Sequence, residues 1–159
     1  MMAPPAPTDG EALVLRWSHH GRHVATARQE LGKLLAAWGM AGLADPAVLV
    51  LSELFGNAVR HARAPRDRLI ETWFVRLPGA VRIEVHDADC ARPVMRRAGE
   101  DGEAGRGLAM IDRITHQQWG VSDREGVGKR VWAVVSCDQA DDRPHTGTGT
   151  RNSERSEES

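Results

Sequence analysis

Residues 49–62 read LVLSELFGNAVRHA, an apolar helical pattern that carries an acid and an amide four positions apart. Asp45 suits the N-cap of this helix, and Pro46 suits its first helical position. The helix is therefore predicted to run from about residue 47 to His61. A 3.6-residue period places Glu53 and Asn57 one above the other on the same face.

The polar stripe of this helix continues with two basic side chains, Arg60 and His61. A carboxylate such as Glu53 can accept a proton from a hydroxyl or a water. The amide oxygen of Asn57 suits Mg²⁺, which prefers hard oxygen ligands and phosphates. The simpler alternative is a solvated stripe with an i,i+4 hydrogen bond, and the spacing alone favours that alternative.

The elements around this helix alternate between strands and helices. We predict an edge strand, a first helix, a hairpin closed by Pro78-Gly79, a short helix and a final hairpin. Their expected bounds are 12–17, 20–39, 69–77 with 80–87, 105–114, and 118–122 with 129–136. Residues 88–104 have no period and carry several charges, which is typical of a functional loop or lid.

The second hairpin strand ends in an acid. Val81, Ile83 and Val85 alternate with three polar residues, which predicts one dry face and one polar face. Asp87 falls on the dry face, where a carboxylate needs a partner such as the exocyclic amine of adenine. The alternative is an Asp that initiates a turn, and the two interpretations are evenly balanced.

Gly105-Arg106-Gly107-Leu108 lies between the long loop and the short helix. Two glycines allow close approach of the backbone to an anion, and a helix N-terminus offers N–H groups to it. A flexible hinge before a helix is the alternative, because a lone G-x-G is a weak signal.

The composition limits the class of protein. The chain has 159 residues, 41% of them hydrophobic, which suits one domain. A net charge of −1 gives no basic field for nucleic acid or an anionic membrane. The longest apolar run, 47–51, is far shorter than a membrane span, and no signal peptide is visible, so a cytoplasmic location is expected. We expect a flexible leader over 1–11, one domain over 12–137 and a disordered polar tail over 138–159.

Four motifs in this order resemble the N, G1, G2 and G3 boxes of the GHKL ATPases, and within them the anti-sigma-factor serine kinases of actinomycetes. The runs that carry the resemblance are LVLSELFGNAVRHA at 49–62, VRIEVHDA at 81–88, GRGLAMID at 105–112 and the pattern WGV…GKRVW at 119–132. The resemblance implies a Bergerat fold: an α+β two-layer sandwich with a mixed, mostly antiparallel sheet and helices on one face. It also implies that ATP and Mg²⁺ are bound.

The resemblance assigns roles residue by residue. Glu53 matches the general base, Asn57 the Mg²⁺ ligand, and Asp87 the residue that reads adenine. Gly105 and Gly107 match the glycines that contact phosphates, and Gly128 the last-box glycine near the nucleotide. The expected nucleotide contacts are completed by Arg60, His61, Arg106, Leu108 and Lys129. One departure is Asp89, which stands where the family usually has a glycine.

The resemblance implies a protein-serine kinase whose partners are a sigma factor and an anti-anti-sigma factor, and a homodimer is expected on the same ground. A non-catalytic switch, in which ATP closes the lid over a partner-binding surface, remains the alternative. His19, His20 and His23 form a further cluster. It fits a metal site poorly, because no further ligand completes it, and suits the start of the first helix better.

Overall fold

The structure is a computed structural model that describes residues 11–61, 69–87, 102–123 and 128–137. Nearly all of the predicted leader and the whole predicted tail lie outside the described residues. Most of the predicted lid, including Asp89, lies outside them as well.

Five strands form one sheet in the order β1-β2-β3-β5-β4, and every described strand pair is antiparallel. The strands are β1 Ala12–Trp17, β2 Ile70–Leu77, β3 Ala80–Asp87, β4 Trp119–Asp123 and β5 Lys129–Ser136. The helices are α1 Arg22–Ala37, α2 Ala44–His61 and α3 Gly102–Ile114, with a 3₁₀ turn at Ala41–Leu43. The α+β class is confirmed, and each predicted element is present with its ends shifted by a few residues.

The helices pack on one face of the sheet. This inner face presents Phe74, Ile83, Val85 and Val131, which share a buried core with α2 residues such as Phe55. Helix α2 packs against α1, α3 and the strands β3 and β5. Burial of each large apolar side chain contributes about 1.5–3 kcal/mol, so this contact dominates the stability of the fold.

One described segment, Ala41–Arg60, is long and apolar enough to cross a membrane by length and composition alone. It covers residues 44–60 of α2, whose apolar side chains Val50, Leu51, Leu54 and Phe55 are buried in the core. This is the pattern of a core helix in a folded domain.

The outer face of β3 carries the three polar residues that alternation predicted, but this face is buried. Arg82, Glu84 and His86 are only 3%, 2% and 7% exposed. Two indoles from the neighbouring strands cover them: Trp73 stacks on His86 with ring centroids 5.2 Å apart, and Arg82 lies 5.1 Å from the centroid of the Trp132 ring. Alternation predicts which face a residue takes, but it does not predict that large neighbours will cover that face.

Glu84 is the centre of this outer-face cluster. Its carboxylate contacts Arg82 Nε at 2.9 Å, His86 Nε2 at 2.9 Å and Arg130 Nε at 3.7 Å. Burial alone raises the pKa of Glu84, but the hydrogen bond with His86 and the charges of Arg82, His86 and Arg130 outweigh it. The net result is a pKa below the ordinary value for Glu. Burial lowers the pKa of Arg82, and its pairing with Glu84 opposes that shift.

Gly120 on β4 leaves room for the indole of Trp132, its partner on β5. A Cβ at Gly120 would meet the indole atoms of Trp132 at 2.9–3.1 Å.

We predict that Gly120→Ala lowers the free energy of unfolding by about 1–3 kcal/mol, because the ring must move off Arg82. The matched control is Gly32→Ala in α1, where nothing lies within 4 Å of the added methyl. The control should stabilise the protein by about 0.5–1 kcal/mol. Chemical denaturation of both variants measures the difference, and equal effects would contradict the packing.

The lowered pKa of Glu84 predicts a pH-dependent contribution to stability. A carboxylate with a lowered folded-state pKa stabilises the fold above the ordinary Glu value of about 4.3, and this contribution is lost as the pH falls through the folded value. Glu84→Gln should cost about 2 kcal/mol at pH 7 and flatten the loss of stability from neutral pH to the acid range below about 4.3. Urea unfolding across this range tests it, with the more exposed Glu30→Gln as control. An unchanged pH profile for Glu84→Gln would contradict the network.

Candidate functional site

The predicted general base lies where two helices meet. Glu53 is half-buried on α2, and Gly107 of α3 is buried against it. A Cβ at Gly107 would overlap Oε2 of Glu53 and lie 3.0 Å from its Cδ. The absence of a side chain at Gly107 therefore makes the position of this carboxylate possible. The obstacle would be the end of a flexible side chain, so an added methyl would displace Glu53 and leave the backbone in place.

Asn57 lies one turn further along α2 and is paired with Arg60. Arg60 Nη2 donates to Asn57 Oδ1 at 2.8 Å, and the Arg60 side chain also passes 3.7 Å from the place of a Cβ on Gly56. The polar stripe thus contains an i,i+3 hydrogen bond between the amide and the guanidinium. Because Arg60 is exposed, it can leave the amide oxygen to a cation at little cost. The donor type and its access both fit Mg²⁺.

Asp87 lies at the end of β3, on the inner face, as predicted. Its Cα is paired with that of Lys129 at the start of β5. Lys129 Nζ lies 3.5 Å from Oδ1 and 3.5 Å from Oδ2 of Asp87, and both residues are buried. The sequence placed both residues among the nucleotide contacts but did not predict that they pair. The strand register is the signal that could have found this pair.

The position of the G-x-G motif differs from the prediction. Helix α3 begins at Gly102, so Gly105 and Arg106 lie within its first turns and Gly107 lies beyond them. Only about the first four N–H groups of a helix lack an intrahelical partner. Counted from Gly102, these reach Gly105, and the amide of Gly107 comes after them. Glu103 and Ala104 are good helix formers, which accounts for the earlier start. Contact of the Gly107 amide with phosphate therefore requires the first turns of α3 to open.

The remaining predicted contacts are spread along the same elements. Leu108 is 2% exposed and belongs to the core with Ile111. Gly128 has φ +118°, a backbone conformation that favours glycine. His61 is the last residue of α2. The binding roles of these residues stay predictions.

His19, His20 and His23 lie at the start of α1. Among the described residues no group of three His, Cys, Asp or Glu side chains is arranged to hold a metal ion. His20 Nδ1 accepts a hydrogen bond at 3.1 Å from the N–H of Arg22, the first residue of α1. The cluster flanks the start of α1, whose N-cap residue is Gly21.

A comparison with protein families assigns the chain to one of them. Residues 18–135 match the family described as the histidine kinase-like ATPase domain, and the chain belongs to that family. It is a domain of the GHKL type, a class of ATPase- and kinase-like domains that bind ATP.

Among solved structures, the chain is similar to the histidine kinase domain of the blue-light activated histidine kinase from Erythrobacter litoralis EL346, with a TM-score of 0.46 and 16% identity. The similarity covers 76% of this chain and 62% of that chain, so this chain spans less than two thirds of the length of that domain. No curated protein matches the chain.

Asn57→Ala tests the predicted metal ligand. We expect it to abolish Mg²⁺-dependent ATP binding, because it removes a neutral oxygen ligand from the polar stripe of α2. Titration calorimetry with and without Mg²⁺ measures the effect. Gln29→Ala, which removes an exposed amide from α1, is the matched control and should bind like the wild type. Unchanged affinity of Asn57→Ala would refute the assigned role.

Proposed function

We propose that this protein is an anti-sigma-factor serine kinase, which transfers the γ-phosphoryl group of ATP to a serine of an anti-anti-sigma partner. The observation that carries the proposal is the placement of Glu53. Its carboxylate is held against Gly107, one turn from Asn57 on the same helix face. A base beside a metal-ligand candidate and a glycine-rich motif is the arrangement that phosphoryl transfer needs.

In this proposal each group of the site has one task. Glu53 accepts the proton of the serine hydroxyl, and Asn57 would hold Mg²⁺, which neutralises phosphate charge. Arg60, once it leaves Asn57, and His61 at the end of α2 offset the charge of the phosphates. Asp87 accepts from the 6-amino group of adenine. Gly105, Arg106 and Gly107 bind phosphate when the first turns of α3 open. Most of the rate then comes from positioning and charge neutralisation.

The proposal extends to partners and location. The resemblance to the anti-sigma-factor kinases supports a sigma factor and an anti-anti-sigma factor as binding partners, and a homodimer. The same resemblance supports a cytoplasmic location, where these partners act. Phosphorylation of the anti-anti-sigma factor would then decide which partner the kinase holds.

Transfer of labelled γ-phosphate to the proteins of a host-cell extract tests the kinase. The wild type should label a small protein, and Glu53→Ala should reduce labelling about a hundredfold or more, as loss of a general base does. Gly107→Ala should also lower labelling, because the added methyl displaces Glu53. Glu30→Ala on α1 is the control and should label normally. If the wild type binds ATP but labels nothing, the kinase is refuted and the non-catalytic switch is favoured.

A further inference from the structure

Ser18 lies between the end of β1 and the start of α1, outside the site described above. The residue is exposed, and its Oγ lies 2.9 Å from Nε2 of His23 in the first turn of α1. The His23 ring is flanked by the ring of Trp17, with centroids 5.6 Å apart, and by the ring of His20, at 6.2 Å. The segment therefore holds an accessible hydroxyl against an imidazole that two other rings position.

The hydrogen bond of Ser18 is not needed to cap the helix. The N–H groups of residues 22–24 bond to Nδ1 of His20 and to the backbone oxygens of His20 and Gly21. The first amides of α1 thus have acceptors without Ser18. In the tautomer that carries its proton on Nδ1, His23 accepts the hydrogen bond of the hydroxyl at Nε2. A serine that donates to a nitrogen base is the arrangement of an activated nucleophile.

The charges around Ser18 favour a phosphate on this hydroxyl. Residues 12–29 contain three arginines, three histidines and no Asp or Glu, although the whole chain has a net charge of −1. Arg22, next to His23, is exposed and has no ion-pair partner among the described residues. A phosphoserine carries a charge of about −1.5 to −2, which neighbouring arginines stabilise.

Strand pairing brings Ser18 to the end of the sheet that carries part of the candidate site. The last residue of β1 is paired with Ile70, the first residue of β2, and β2 is antiparallel to β3, which ends at Asp87. Neighbouring strands lie about 4.8 Å apart, so the end of β1 lies roughly 10 Å from the end of β3. Ser18 therefore leaves the sheet near the strand end at which adenine is proposed to bind.

We propose that Ser18 is a phosphorylation site of this protein, modified by its own kinase activity. The inference rests on the proposed function, because the phosphate comes from ATP bound at the same site. In this step Oγ of Ser18 bonds to the γ-phosphorus, the bond from that phosphorus to the β,γ-bridging oxygen breaks, and ADP leaves. The hydroxyl proton passes to Nε2 of His23, which has for Ser18 the role that Glu53 has for the serine of a partner. The imidazolium that forms then lies next to the new phosphate and stabilises it.

The test incubates the purified full chain with γ-labelled ATP and Mg²⁺, and identifies the labelled residue by peptide mapping. The wild type should carry the label on Ser18, and Ser18→Ala should lose it. Thr26→Ala, which removes an exposed hydroxyl of α1, is the matched control and should label as the wild type does. Asn57→Ala should lose the label, because it is expected not to bind ATP with Mg²⁺.

A second pair of variants tests the part played by His23. His23→Gln keeps a side chain that can hydrogen-bond but cannot take up the proton, so labelling of Ser18 should fall about a hundredfold. His20→Gln, which changes the neighbouring ring, is its matched control and should label as the wild type does.

Four results would overturn the inference. They are label on a protein of a host-cell extract but none on this chain, self-labelling that Ser18→Ala does not reduce, equal labelling of His23→Gln and the wild type, and label that persists in Asn57→Ala. The first of these would leave the proposed kinase in place. Absence of label on both the chain and the extract, with ATP bound, would instead refute the proposed function, and the inference would fall with it.

Discussion

Helix α2 has to bury one side and expose the other, and the site follows from that constraint. Its apolar residues, among them Val50, Leu54 and Phe55, are buried against the sheet. The helical period then leaves Glu53 and Asn57 together on the remaining face. Any rotation of α2 that moved these two side chains would also expose apolar surface, so the core fixes the direction of the polar stripe.

Helix α3 packs against α2, and the Gly107 backbone is one of the places where the two helices come close. Gly107 lies against Glu53, while its neighbour Leu108 is anchored in the core. Leu108 therefore fixes α3 to the core, and Gly107 beside it leaves space for the carboxylate of Glu53. An event that opens the first turns of α3 would move Gly107 relative to Glu53, which couples the predicted phosphate motif to the predicted base.

The sequence was sufficient for most of the fold, because strong periodicity and turn residues mark each element. It was insufficient where contacts between residues distant in the sequence determine the burial or the partner of a side chain. The burial of Glu84 depends on Trp73 and Trp132 from two other strands, and no local pattern shows this. The pairing of Asp87 with Lys129 depends on the register between β3 and β5. The two residues are 42 positions apart in the sequence, and no local pattern indicates that they face each other. The candidate site was predicted as a set of residues from the order of four motifs, while their mutual contacts came from the structure.

Two residues that are proposed to bind the nucleotide and its metal have polar partners in this structure: Asn57 is bonded to Arg60, and Asp87 is paired with Lys129. The most direct measurement is therefore a crystal structure of the protein with Mg²⁺ and a non-hydrolysable ATP analogue. We expect the adenine edge against Asp87, a metal-bound Asn57, and Arg60 displaced towards the phosphates. A nucleotide bound elsewhere, with both contacts unchanged, would contradict this expectation.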